Sequence, residues 1–211
     1  MPLYKTITPN KHTTVYVWKI EESFDDLSKG ILLTKRSKER VLSMKSEMHQ
    51  RGFLSVRHLL KEAGYTDFDL YYTDNGKPHL KDKKHISITH SFTFSALIIS
   101  DKEVGIDIEK NREKIKIIQH KFVNFERGFI NPNDNLIEQL TVIWGAKESL
   151  YKIYPYGGLT FKNDIDIESF KISDKRTTGF IKAKDWDKKY DIHYKKIEDY
   201  TLVYALDTSK I

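Results

Sequence analysis

Hydrophobic and polar positions change period several times along the chain, and each change predicts an element. Residues 13–20, TTVYVWKI, concentrate β-branched and aromatic side chains and predict an opening strand. From 37 to 63, the apolar residues Val41, Leu42, Met44, Met48, Phe53, Leu54, Leu59 and Leu60 recur mostly three and four apart, with Gly64 placed to end the run. That spacing predicts a basic amphipathic helical region, divided into two helices near Gly52. The turn signal Asp74-Asn75-Gly76 follows, then strand-like runs over 85–89, 92–99 and 104–109. Helical periodicity returns over 112–122 and 136–153, on either side of the loop signal Asn131-Pro132-Asn133-Asp134. Strand-like runs at 165–172, 179–184, 190–195 and 201–206 complete the chain.

In each half a helix leads to a glycine-containing turn and then to several strands. Asn75-Gly76-Lys77-Pro78 and Gly157-Gly158-Leu159 mark the two turns. This repeat of element order predicts two α/β lobes, 1–103 and 104–211, with no linker rich in Pro, Gly or Ser between them.

Composition narrows the chemistry. The 211 residues include 36 basic and 30 acidic ones, a formal net charge of +6, with 39% hydrophobic and 12% aromatic residues. That is the composition of a globular protein and excludes disordered and collagen-like chains. No apolar run approaches the ~20 residues that span a bilayer, and the beginning MPLYKTITPNKHTT lacks a secretory hydrophobic stretch, so a cytoplasmic location is expected. The absence of cysteine removes disulfides, thiolate nucleophiles and cysteine-ligated metals. Carboxylates, histidines, lysines and hydroxyls are left to carry any reaction.

Two segments stand out. In Val104-Gly105-Ile106-Asp107-Ile108-Glu109-Lys110, a strand would set Asp107 and Glu109 on one face and Ile106 and Ile108 on the other. Adjacent carboxylates repel unless a cation or proton lies between them, and hard oxygen donors suit magnesium. Taken alone, the pair reads more readily as the solvated face of an amphipathic strand. In Trp144-Gly145-Ala146-Lys147-Glu148-Ser149-Leu150-Tyr151-Lys152, a helix would align Trp144, Glu148 and Lys152, with Lys147 close to that stripe. An ordinary Glu-to-Lys helix pair would look the same.

Together, Gly-Ile-Asp-Ile-Glu and, about forty residues on, Trp-x-x-Lys-Glu-Ser-x-x-Lys resemble the paired signature of the 4′-phosphopantetheinyl transferases. Asn75-Gly76-Lys77-Pro78-His79 resembles that family's Gly-Lys-Pro turn. Ile88-Thr89-His90-Ser91 resembles its (Leu/Ile)-Ser-His-Ser segment, with Thr89 in place of serine. The resemblance covers about residues 35–160. It implies an α+β fold of two similar lobes related by pseudo-twofold symmetry, each a helix packed on a mainly antiparallel sheet, with the active site between them in a monomer. It implies transfer of phosphopantetheine from coenzyme A to a serine of an apo acyl or peptidyl carrier protein, with release of adenosine 3′,5′-bisphosphate.

The resemblance also implies roles. Asp107, Glu109 and Glu148 would ligate magnesium, Glu148 also serving catalysis, and Lys152, with Lys147 as a helper, would contact the phosphates. His90, with Ser91 beside it, would meet a coenzyme A phosphate. Lys77 and Pro78 would line its adenine and 3′-phosphate end, and Arg51, in a basic stretch with Lys35, Arg36, Lys38 and Arg40, would meet the 3′-phosphate. His120-Lys121-Phe122-Val123-Asn124-Phe125-Glu126 resembles the family's Arg-Phe-Phe-Ser-x-x-Glu segment, one residue shorter, which makes Glu126 a candidate general base. Phe125, Phe129 and Ile130 form a candidate apolar patch for an acidic carrier drawn by the basic surface.

Two other readings stay open at this point. A basic nucleic-acid-binding protein would account for the charge, although no zinc-finger spacing or clear recognition helix is present. A metal-dependent phosphohydrolase would use the same carboxylates but leaves the Gly-Lys-Pro and Thr-His-Ser turns unexplained. The resemblance itself implies neither a nucleic-acid nor a membrane partner.

Overall fold

The computed structural model describes residues 3–184 and 186–209. The chain divides into two compact units, Met1–Asp101 and Lys102–Ile211. The fold is α+β, and every strand pairing among the described residues is antiparallel.

In the first unit, β1 (Leu3–Asn10), β2 (Thr13–Lys19), β5 (His85–Ser91) and β6 (Phe94–Ser100) form a sheet in the order β1-β2-β6-β5. A small hairpin pairs β3 (Leu70–Tyr72) with β4 (Pro78–Leu80) across the turn at Gly76, whose φ of 80° is in the region that glycine alone enters freely. The helices are α1 (Phe24–Ser28), α2 (Lys35–Ser43) and α3 (Glu47–Glu62). α3 lies on β2, β5 and β6, and its Phe53, Leu54, Leu59 and Leu60 join Trp18, Leu97 and Ile99 in the core.

The helical region expected over 37–63 is two helices, but the break falls at 44–46 and not near Gly52. Met44 and Ser46 have extended backbone, while Gly52 is buried inside α3. No run in the sequence marks β1. Its exposure alternates at every residue between half-buried and exposed, as on an edge strand, and so leaves only a weak hydrophobic signal.

In the second unit, β7 (Val104–Lys110), β11 (Tyr200–Asp207), β10 (Trp186–Ile197), β9 (Arg176–Ala183) and β8 (Ile165–Ile167) form a five-stranded sheet in that order. The long helix α5 (Leu136–Ile153) packs on β7 and β11 and also meets β8 and β9. The helix expected over 112–122 is only α4 (Lys114–Ile118), continued by a short 3₁₀ turn. The strand expected over 165–172 closes at Ile167. Among the described residues, no helix is long and apolar enough to cross a membrane.

Candidate functional site

The second unit brings the two signature segments together. Gly105 on β7 faces α5 so closely that an added Cβ would sit on the Ser149 carbonyl oxygen. Gly145 on α5 is similarly pressed, since its added Cβ would lie 2.7 Å from a Val203 methyl and 3.7 Å from Asp107 Oδ2. Ser149 returns its hydroxyl to the Gly145 carbonyl at 2.7 Å and to the Val203 carbonyl at 3.3 Å. Three small signature residues therefore set the spacing of helix and strand. Their part in the motif is packing, a meaning that spacing along the sequence does not reveal.

On this close contact the charged side chains meet. Asp107 is 5% exposed, so the solvated-face explanation does not hold for it, and β7 also buries Ile106 and Ile108. Lys152, one turn beyond Glu148, donates from Nζ to the Ile106 carbonyl at 2.8 Å and to Asp107 Oδ1 at 2.9 Å. Burial pushes the Glu148 carboxyl up to about 7; the charges of Asp107 and Glu109 push the same way, and Lys152 opposes them. Three carboxylates thus share one electrostatic field, partly balanced by one ammonium.

This donor set fits a hard divalent cation in its chemistry: oxygen donors, mutual repulsion and a carboxyl driven toward its neutral form. Among the described residues, however, no three His, Asp or Glu side chains converge closely enough to hold a metal ion. The Lys152 ammonium occupies part of the role that a cation would take.

Lys147 and Glu126 are placed otherwise than the motif reading expects. Both side chains are fully buried, and Lys147 Nζ lies 2.7 Å from Glu126 Oε1. Lys147 also donates to the carbonyls of Phe122 at 2.7 Å and Phe161 at 2.8 Å, while the rings of those two residues pack against Trp144. Glu126 accepts from the backbone amides of Asn124 and Ile167. Burial holds the Lys147 ammonium below its ordinary range, with Glu126 pulling the other way. Neither group reaches solvent, so in this arrangement Lys147 does not face a phosphate and Glu126 does not face a substrate hydroxyl. The physical reason is their mutual neutralisation, which makes burial tolerable and ties 122–126, α5 and 161–167 together.

The candidate apolar patch is also divided. Phe125 is exposed, whereas Phe129 and Ile130 pack against the core, Phe129 edge-on to Phe170. Ile117 of α4, missed in the sequence, is exposed in the same segment.

The first unit positions the remaining candidates. His90 is an exposed residue near the end of β5, between the buried Thr89 and Ser91. Lys77 and Pro78 belong to the β3–β4 turn, where the Lys77 carbonyl accepts from Thr73 N. The next residue, His79, stacks on Tyr71, and its imidazole is held below its ordinary range first by burial and then by the Lys77 and His85 charges. Arg51 on α3 donates through one guanidinium nitrogen to the Ile20 carbonyl at 3.2 Å. Lys35, Arg36, Lys38 and Arg40 lie on the exposed face of α2.

Residues 103–205 match the family profile described as the 4′-phosphopantetheinyl transferase superfamily. The chain is also 30% identical over 115 residues to enterobactin synthase component D of Salmonella typhimurium, a match covering 50% of this chain and 47% of that protein. The match therefore spans about half the length of this curated relative.

Proposed function

We propose, from the match of residues 103–205 to the 4′-phosphopantetheinyl transferase superfamily, that the chain is a member of that family and transfers 4′-phosphopantetheine from coenzyme A to a serine of an apo acyl or peptidyl carrier protein. The observation that carries this reading is the meeting of Asp107, Glu148 and Lys152 across the contact between β7 and α5, inside the matched residues.

In this reading Asp107, Glu109 and Glu148 are the residues that would hold a magnesium ion, their side chains drawing together around it, and the ion would supply charge neutralisation for the coenzyme A pyrophosphate. Lys152 stays beside them to contact the phosphates. The carrier serine oxygen attacks the β-phosphorus, its bond to phosphorus forms, and the phosphorus–oxygen bond to adenosine 3′,5′-bisphosphate breaks. The serine proton needs an acceptor. Glu126, buried against Lys147, is better suited to holding α5 in place, so in this reading water at the site takes the proton. His90 and Ser91, with Lys77, Pro78 and Arg51, supply the contacts to the coenzyme A phosphates and adenine, and Lys147 supports them only through the helix it anchors.

The carrier is proposed to be acidic, matching the net charge of +6. Since the relative is named as a component of a synthase, carrier domains of biosynthetic synthases are the first to try. The protein is further proposed to act as a cytoplasmic monomer.

The test is incubation of the protein with magnesium, coenzyme A and a panel of apo carriers, followed by mass spectrometry. A phosphopantetheine increment on a carrier serine is expected. An unmodified panel, with wild-type protein shown to be folded, would overturn the reading.

A further inference from the structure

Gly52 stands mid-way along α3, where glycine is disfavoured relative to every residue but proline. Its place therefore calls for a packing reason, and the surroundings provide one. A Cβ added at Gly52 would lie 3.3 Å from both Cγ and Nδ1 of His90 and 3.6 Å from its Cδ2. All three nearest atoms belong to the imidazole, so the bare helix surface at Gly52 is the floor on which that ring rests.

The helix is not free to retreat from the strand. Ser55, one turn on from Gly52, donates its hydroxyl to the Gly52 carbonyl at 2.8 Å, and a second bond of 2.8 Å joins it to the Ser95 hydroxyl. Both serines are fully buried. In the β5–β6 register, Ser95 is the partner of His90. The clamp between α3 and the sheet thus sits on the same rung as the histidine. His90 itself is exposed on β5, the edge strand of its sheet.

We infer that Gly52 is a positioning residue, whose missing side chain seats the His90 imidazole against α3 and so sets the ring orientation used for coenzyme A. A residue with a Cβ at 52 crowds the ring, and the ring, having solvent beside it, turns while the clamped helix stays. The inference rests on the proposed contact between His90 and coenzyme A.

The experiment compares wild type with Gly52→Ala and His90→Ala in the full chain. The readouts are KM for coenzyme A, kcat, thermal unfolding, and the imidazole NMR resonances of His90 in the unliganded protein. In Gly52→Ala the His90 resonances are expected to move, KM for coenzyme A to rise about tenfold, as for a lost charge-assisted hydrogen bond, and kcat to change less than KM. The melting temperature should equal or exceed that of wild type, because alanine favours the helix.

If His90→Ala raises KM and Gly52→Ala does not, the inference fails and the coenzyme A reading of His90 stands. If His90→Ala leaves KM unchanged, that reading fails. The seating of the ring is then decided by NMR, where unmoved His90 resonances in Gly52→Ala overturn it. A lowered melting temperature in Gly52→Ala, with His90 resonances unmoved, would show that the helix yields, and it too overturns the inference.

Discussion

The central helix of the first unit buries Arg57, and that of the second buries Lys147; the two cations are satisfied in different ways. Arg57 Nε donates to Asp67 Oδ1 at 2.9 Å, and its guanidinium lies over the Phe53 ring at 3.5 Å. Asp67 also receives the Thr34 amide and hydroxyl and the Ser37 hydroxyl, so the acid is surrounded by donors at the start of α2. Lys147 uses a single carboxylate and two backbone carbonyls, and Glu126 in turn takes two backbone amides. The first network caps a helix with side chains. The second threads backbone groups from loops on either side of α5, and therefore fixes the helix that carries Glu148 and Lys152. The contrast teaches that one residue type, a buried cation, serves local helix capping in one unit and placement of the candidate site in the other.

The largest effect is expected at the site that the second network supports. Asp107→Ala should reduce transfer by about a thousandfold or more, the scale of losing an electrostatic contact to the transition state, while circular dichroism shows the fold intact. Wild-type turnover would remove the metal assignment.

Next come the two cations themselves. Lys147→Met strands the Glu126 charge in the core and should cost about 3–5 kcal/mol in urea unfolding. Arg57→Met leaves Asp67 its three other donors and should cost about 1.5–3 kcal/mol. Equal losses would erase the distinction drawn between the networks.

The two helix glycines sharpen it further. At Gly145 the obstacle to a Cβ is a Val203 methyl at 2.7 Å inside the core, whereas at Gly52 it is an exposed imidazole at 3.3 Å. Gly145→Ala should therefore lose about 1–3 kcal/mol to overpacking, reduced by about 1 kcal/mol of helix propensity, with Gly52→Ala no less stable than wild type. Thermal unfolding of the pair decides this.

The smallest effect concerns acid. Burial pushes the Asp67 carboxyl up, but the Thr34 amide, the Arg57 charge and the Ser37 and Thr34 hydroxyls together bring it below its ordinary value. A depressed carboxyl contributes stability above its unfolded-state pKa and loses it as pH falls through the folded value. Wild type should thus lose stability more steeply than Asp67→Asn below about pH 4, as followed by unfolding at a series of pH values.

The sequence made some of this legible and hid the rest for identifiable reasons. β7, α5 and β11 follow from periodicity because each is long and strongly patterned. Gly52 looks like a helix breaker and so draws the expected break away from 44–46, whereas it is packed inside α3 under the His90 ring. Residue type and spacing single out Asp107 and Glu148, and the Asp107 charge raises the Glu148 carboxyl. The burial of Lys147 and Glu126 was not readable, because a Lys-Glu pair on a helix looks solvent-facing, and the decisive partner lies twenty-one residues upstream. Gly105, Gly145 and Ser149 stand in the sequence only as motif letters, since close approach between helix and strand leaves no period along the chain.

The signature, then, mixes two kinds of residue. Gly105, Gly145, Lys147 and Ser149 determine where helix and strand lie, and Asp107, Glu148 and Lys152 bear the exposed or shared charge. On the proposed function, a chain that kept the first set and lost the second would keep the same frame and most of the pattern and yet be inert. Homologues that match this signature should accordingly be sorted by their acidic positions before any is counted as an active enzyme.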